Sequence, residues 1–340
     1  MLASQSPADL FDRSIPLQFD WADAQLSPDN RWLAYLQTSG QKGLWLAKAD
    51  LTGAQPIRSD QLRQTSTDAG KTSVVNLVNP AWSPNSKFLS FLSYEGLPPG
   101  ENHRLWYLSP DNISNAIVVY EESQRLTAGL WSPNSKSIAV VDGEQLILVD
   151  LPHEAQMIVA KRVVVFPIGS RALAWSADGN WLAYPVMNAQ NALELWIAEV
   201  STEDRRMLME NEDASAIRLP SWCPDGGRIA LLEGRMSPDS QIAPSLRVLN
   251  RDGEVQVDLQ VLGTEFTPTT PVLWSPEGER IALILRQGAA FDVWMVNLND
   301  VSYSQLTTDG NVSNLLRWST DGKKLLIRTW EAIKPLNVSE

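Results

Sequence analysis

The sequence predicts an all-β fold: a seven-bladed β-propeller of four-stranded antiparallel blades, with the ring closed by sharing one blade between the N- and C-termini. Three observations predict it. A turn motif recurs seven times, each copy is followed by short β-type apolar runs, and the two terminal segments together make up one further period. The motif is seen in Trp82-Ser83-Pro84-Asn85-Ser86-Lys87, Trp131-Ser132-Pro133-Asn134-Ser135-Lys136 and Trp175-Ser176-Ala177-Asp178-Gly179-Asn180. It continues in Trp222-Cys223-Pro224-Asp225-Gly226-Gly227, Trp274-Ser275-Pro276-Glu277-Gly278-Glu279 and Trp318-Ser319-Thr320-Asp321-Gly322-Lys323. An earlier copy, Leu26-Ser27-Pro28-Asp29-Asn30-Arg31, has Leu in place of Trp.

Counted from the Ser or Cys, the copies lie 56, 49, 44, 47, 52 and 44 residues apart, a spacing typical of propeller blades. Pro at the third motif position presets φ for a turn. Asp or Asn favours its continuation, and Gly takes the positive φ that ends it. Runs such as Trp32-Leu33-Ala34-Tyr35, Ile138-Ala139-Val140 and Ile281-Ala282-Leu283 follow directly, so the motif joins a first to a second antiparallel strand. Third strands are marked by Leu44-Trp45-Leu46-Ala47, Leu105-Trp106-Tyr107-Leu108, Leu146-Ile147-Leu148-Val149, Leu195-Trp196-Ile197-Ala198, Leu246-Arg247-Val248-Leu249 and Val293-Trp294-Met295-Val296. Fourth strands are fainter and are expected at Ala116 to Tyr120, Val163 to Phe166 and Val255 to Leu259. Residues 1–27 and the 21 residues after Ser319 together number 48, almost one period. An N-terminal strand near Ile15 to Phe19 is therefore expected to complete the last blade, making residues 1–340 a single domain.

Composition narrows the function classes. Of 340 residues, 44% are hydrophobic and 20% charged, enough apolar material for a full core. The formal net charge is −12 and no basic run exceeds a pair, which argues against nucleic acid, because phosphate binding needs clustered Lys and Arg. One cysteine, Cys223, excludes an intramolecular disulfide, and two histidines, His103 and His153, are too few for most metal centres. No metal or cofactor is expected. No segment approaches 18 consecutive apolar residues, so no membrane insertion is expected. The N-terminus, with Asp9 and Asp12, does not read as a signal peptide. The expected location is cytoplasmic, or periplasmic if a leader was removed.

Trp-Ser-Pro-Asp-Gly-Lys, followed by an Ile-Ala-Phe-like run and a Leu-Trp-Val-like strand, resembles the WD-like propeller repeat of TolB. That repeat is shared with the N-terminal propeller of prolyl oligopeptidase-type peptidases. The likeness runs from Leu26 to Trp330 and is specific for architecture, since one propeller repeat hosts many functions. In the peptidases it implies a separate α/β-hydrolase domain with a Gly-x-Ser-x-Gly elbow, which this chain lacks. Propeller lyases of the pectate-degrading type need several metal-binding His. Tyr120-Glu121-Glu122 invites comparison with the paired glutamates of dipeptidyl-peptidase propellers, but reads as the solvated end of a fourth strand. His103 reads as exposed loop, His153 as a turn residue and Cys223 as a small packing residue. The sequons at Asn112, Asn311 and Asn337 read as chance matches.

The expected site comes from symmetry. Four residues before each motif Trp lies the start of the first strand, which in the resembled family lines the central channel: Val78, Thr127, Arg171, Arg218, Thr270 and Asn314, with Ala22 as the equivalent in the first repeat. Arg171 and Arg218 occupy equivalent points of adjacent blades. They form either a clamp for a carboxylate, a phosphate or a partner's acidic tail, or two surface arginines paired with local acids. Varied connections on the same side, such as Gln64 to Asn76, Met209 to Arg218 and Leu262 to Thr270, suit a protein or peptide surface. The sequence therefore reads as a non-catalytic, monomeric platform for a protein or peptide partner. The alternatives are a detached substrate-gating propeller of a prolyl oligopeptidase-like peptidase and a periplasmic TolB-like component.

Fourteen Trp stand against 7 Phe and 6 Tyr, and ten of them fall at two recurring positions, so the excess reads as repeat core. Ser86 and Ser135 stand where Gly is favoured, which implies strain of roughly 0.5–1 kcal/mol each. On sequence grounds Ser135→Gly is expected to raise the melting temperature.

Overall fold

The computed structural model describes residues 10–12, 14–17, 21–58, 75–95, 101–122, 126–163, 172–202, 204–211, 217–236, 242–260 and 272–338. They build seven four-stranded antiparallel sheets, the seven blades of a β-propeller. The chain falls into two compact units, one built on Gln18–Lys161 and the other on Arg162–Glu340 with Ala8–Leu17.

The first unit holds sheets 1 to 3. Sheet 1 runs Trp21–Leu26, Trp32–Gln37, Gly43–Lys48, Gln55–Pro56; sheet 2 runs Val75–Trp82, Leu89–Glu95, Glu101–Ser109, Asn112–Glu122; sheet 3 runs Leu126–Trp131, Ser137–Asp142, Gln145–Asp150, Ala155–Lys161. Second and third strands are the most buried, because both faces of each sheet are covered. The fourth strand of sheet 3 ends at Lys161, before the Val163 to Phe166 expected from its β-branched run. Val163 makes only an isolated bridge to Val186, and 164–166 lie outside the described residues.

The second unit holds sheets 4 to 7. Sheet 4 runs Ala174–Trp175, Trp181–Met187, Leu193–Glu199, Arg205–Asn211, and sheet 5 runs Ile217–Trp222, Arg228–Met236, Ile242–Asn250, Val255–Gln260. Sheet 6 runs Leu273–Trp274, Arg280–Gln287, Ala290–Asn297, Ser302–Gln305; sheet 7 takes Val312–Trp318, Lys324–Thr329 and Ala332–Asn337 from the C-terminus. The fourth strand of sheet 7 is Ile15–Pro16, with Ile15 opposite Ile333 and the Leu17 N–H donating to the Glu331 carbonyl at 2.7 Å. Lys324 Nζ holds the preceding turn through Asp12 at 2.6 Å. The expected sharing of one blade between the termini is thus present.

The turn motif works through its serine. Ser27 Oγ donates to Asp29 Oδ1 at 2.6 Å and accepts from the Trp32 N–H at 2.9 Å, and Ser83, Ser132, Ser176 and Ser319 repeat the pattern. One hydroxyl therefore ties the Asp or Asn of the turn to the N–H that leads into the next strand. Burial alone would raise the carboxyls of Asp178, Asp225 and Glu277. Hydrogen bonds outweigh it and hold all three below the ordinary carboxylate range: Ser176 and Asn180 for Asp178, the Gly227 N–H and Arg228 for Asp225, Arg280 and Ser275 for Glu277.

Neighbouring sheets within each unit are stitched by the motif tryptophans. The indole N–H of Trp82 donates to the Gln25 carbonyl at 3.0 Å and that of Trp131 to Ala81 at 3.2 Å. Trp222 donates to Ala174 at 3.0 Å, Trp274 to Ser221 at 2.9 Å and Trp318 to Leu273 at 3.3 Å. In all five, the acceptor is the residue just before the motif position of the preceding sheet. A second tie depends on the turn residue. Ser86 and Ser135 have φ of 61° and 59°, and their hydroxyls accept the N–H of Asp29 and Asn85 from the preceding sheet at 2.9 and 3.1 Å. In sheets 6 and 7, where the residue is Gly, an arginine of the preceding sheet reaches its carbonyl: Arg228 to Gly278 and Arg280 to Gly322, both at 2.9 Å, with each guanidinium 5.2 Å from the ring of Trp274 or Trp318. In sheet 5 the Gly226 carbonyl accepts from Arg251 of its own sheet at 2.6 Å. Gly278 is also required by space, since a Cβ there would lie 2.7 Å from Cys223 Sγ.

This second tie corrects the expectation for Ser135. Glycine would release the strain but leave the buried-side Asn85 N–H without its acceptor, a loss of about 0.5–1.5 kcal/mol. Ser135→Gly is therefore expected to change stability by less than about 1 kcal/mol, while Ser135→Ala, which keeps the strain and loses the acceptor, falls below both. Urea unfolding of the three proteins checks the order. Trp222→Phe keeps a large ring but orphans the Ala174 carbonyl, and is expected to cost about 1–3 kcal/mol in the same assay. The depressed turn carboxylates contribute stability above about pH 4, where they are also ionised in the unfolded chain, and lose it as pH falls through their lower folded values. Melting temperatures should therefore drop steeply on the acid side, and less steeply in Asp225→Asn.

Candidate functional site at the start of the first strands

Five of the seven first strands share a distortion. Between the residue four before the motif position and the residue one before it, the register slips by one residue in sheet 1 (Ala22/Gln25), sheet 2 (Val78/Ala81), sheet 3 (Thr127/Leu130) and sheet 5 (Arg218/Ser221). Sheet 7 slips between Val312 and Asn314 and again between Leu315 and Arg317. Each slip inserts one extra residue into the first strand, a bulge that re-aims the chain at the strand's start. In sheets 1, 2 and 5 the residue after the predicted position takes positive φ: Asp23 at 46°, Asn79 at 55° and Leu219 at 44°.

Local sequence explains the bulge. Pro80 and Pro220 follow Asn79 and Leu219, and proline has no N–H to offer a ladder, so it is tolerated where the ladder is interrupted. In sheet 3 the equivalent residue is Gly129, where a Cβ would lie 2.5 Å from the Ile138 side chain. Asp23 and Asn79 are exposed, whereas Leu219 is buried.

The sequence-predicted residues fare unequally. Arg171 and Thr270 lie outside the described residues. Thr127 and Arg218 sit in their first strands opposite Val141 and Leu232, at the edge of the bulge, and their side chains lie outside the described set. Asn314 sits in sheet 7 opposite Arg328, partly buried. Its Oδ1 and that of Asn311, three residues earlier, are buried and have no hydrogen-bond partner among the described residues. Asn311 also accepts the Trp330 N–H at its carbonyl, and Trp330 is the most exposed large apolar side chain described, at 64%. Asp23, Asn79 and Asn311 were missed by sequence reasoning; Pro80 and Pro220 two residues before a motif Trp were the available signal.

Other candidates resolve into structure. His103 is not an exposed loop residue: it lies in the third strand of sheet 2, 6% exposed, stacked 5.8 Å from Tyr94. His153 is a turn residue with Nδ1 2.7 Å from Asp150. Cys223 is fully buried, and burial pushes its thiol up to about 11, as befits a packing residue. Glu121 does end a fourth strand, but is held by Arg104 at 2.6 Å, which also lies 3.4 Å from Glu95. Tyr120 is buried, with its hydroxyl donating to Asp142 at 3.1 Å.

No family model matches the chain. It is 26% identical over 225 residues to the WD repeat-containing protein WRAP73 of Mus musculus, a match covering 60% of this chain and 44% of that one. Among solved structures it is similar to prolyl endopeptidases, with a TM-score of 0.62 and 13% identity over 97% of this chain and 51% of that one. It is also similar to a chain of the mitotic checkpoint complex, with a TM-score of 0.61 and 13% identity over 100% of this chain and 95% of that one. These likenesses show the fold. The chain spans less than half the length of the curated relative it matches, and its likeness to a WD repeat-containing protein agrees with the repeat read from the sequence. No helix among the described residues is long and apolar enough to cross a membrane.

Proposed function

We propose that this propeller is a non-catalytic platform that binds a protein or peptide at the start of its first strands. The observation that carries the reading is the pair of buried acceptors, Asn311 Oδ1 and Asn314 Oδ1, that have no hydrogen-bond partner among the described residues. A buried acceptor without a donor costs about 1–3 kcal/mol, and that cost is recovered when a donor arrives. A peptide backbone supplies N–H donors at the spacing of a strand, and the exposed indole of Trp330 beside Asn311 offers the large flat contact that anchors interfaces. Bulges at the same point of the first strands of sheets 1, 2, 3 and 5 support the reading, because such distortions gather at binding sites. Arg171 and Arg218 are proposed to hold an acidic group of the same partner.

The test couples stability to binding. Asn314→Leu removes an unpaired acceptor, so the free protein should melt at the same temperature or higher, while a partner captured by the wild-type protein in affinity purification should be lost. Charge reversal of Arg171 and Arg218 together should also abolish capture. Retention of the same partner by both variants would sink the site.

A further inference from the structure

The edge of sheet 2 differs from the other sheet edges. Its fourth strand, Asn112–Glu122, is eleven residues long and ends the sheet. Nine consecutive residues, Asn112 to Tyr120, carry no charge and no proline, and Ile117 in their middle is 43% exposed. Other fourth strands also show an apolar side chain, such as Ile158, Met207 or Val255, but each of those strands contains charge: Lys161; Arg205, Arg206 and Glu210; Asp258. The remaining fourth strands are two residues with a proline, Gln55–Pro56 and Ile15–Pro16, or only four residues, Ser302–Gln305. Charge, proline and shortness are the usual means by which a sheet edge is kept from pairing. The strand at Asn112–Glu122 lacks all three over most of its length.

Charge says what fits there. At its C-terminal end the strand reaches Glu121 and Glu122, opposite Arg104 and His103, and the next hairpin sets Glu95 opposite Glu101. The Arg104 guanidinium is already shared between Glu95 and Glu121. Exposed Asp111 stands at the other end. A second copy of this chain pairs badly. Antiparallel pairing about Ile117 brings Asp111 of one copy diagonal to Glu121 of the other, and parallel pairing sets the glutamates against themselves, between chains that each carry −12.

We infer that this edge accepts, by strand addition, an extended segment of a partner protein that is apolar in the middle and carries Lys or Arg where it passes Glu121 and Glu122. The inference deepens the platform reading and rests on it only in taking the partner to be a protein; the surface is a different one.

The probe is a fluorescein-labelled nine-residue peptide, Lys-Lys-Val-Thr-Val-Thr-Val-Thr-Val, titrated with the full chain by fluorescence anisotropy at low salt. Saturable binding is expected, weakened at least tenfold by Ile117→Lys and by replacing both lysines of the peptide with glutamate. The second comparison uses unaltered protein, so it stands even if Ile117→Lys misfolds. No saturable binding, or equal affinity for the glutamate peptide, overturns the proposal. So does a concentration-dependent dimer in sedimentation that Ile117→Lys abolishes, which would give the edge to a second copy. Asn314→Leu should bind the peptide like the wild type, so this edge and the first-strand site can fail independently.

Discussion

The sheets of each unit are held to one another by an indole N–H that reaches back to the carbonyl just before the preceding sheet's turn motif. Five tryptophans make this bond, and three of its acceptors, Ala81, Ser221 and Leu273, themselves precede a tryptophan that does the same. Within each unit a sheet thus presents the acceptor that its successor needs. A ring alone would pack there, but only Trp combines a surface large enough to fill the space between twisted sheets with a donor at its tip. The requirement for a buried carbonyl to be satisfied explains why the motif position is Trp in six copies when Phe or Leu would satisfy hydrophobicity alone.

Around that bond the protein uses two chemistries for one purpose. In the first unit, serine at the positive-φ turn position takes an N–H from the preceding sheet. In the second, glycine leaves its carbonyl open to an arginine that also stacks on the motif indole. Serine accepts backbone strain in exchange for an acceptor; glycine avoids the strain and relies on a neighbour's guanidinium. The choice at one residue is therefore coupled to the residue two places after the turn in the sheet before it. Pairs such as Gly278 with Arg228 are units of sequence as well as of structure.

Two local departures from the regular repeat stand out among the described residues, at the starts of the first strands and at the edge of sheet 2. Bulged first strands interrupt the ladder, and Asn311 and Asn314 have side-chain oxygens without a partner among the described residues. The Asn112–Glu122 edge leaves a ladder unfinished beside an acidic hairpin. Both are local departures from a regular repeat, and rigid surroundings hold them open instead of letting them collapse.

The repeat, the strand order within each blade and the use of Ile15–Pro16 to complete the last sheet were legible in the sequence, because turn chemistry and strand periodicity are local and recur seven times. Most tryptophans could also be assigned to the core, since ten share two repeat positions. Side chains whose role depends on another sheet were not legible. Ser135 looked like a strained glycine substitute until its hydroxyl was seen to accept Asn85, fifty residues away. His103 looked like a loop residue because it follows Leu97-Pro98-Pro99-Gly100, but the third strand of sheet 2 begins at Glu101 and includes it. Symmetry located the start of each first strand, but not the bulge there, because a one-residue slip depends on how the second strand pairs. Local chemistry determined the blades; packing between them decided which polar groups are satisfied.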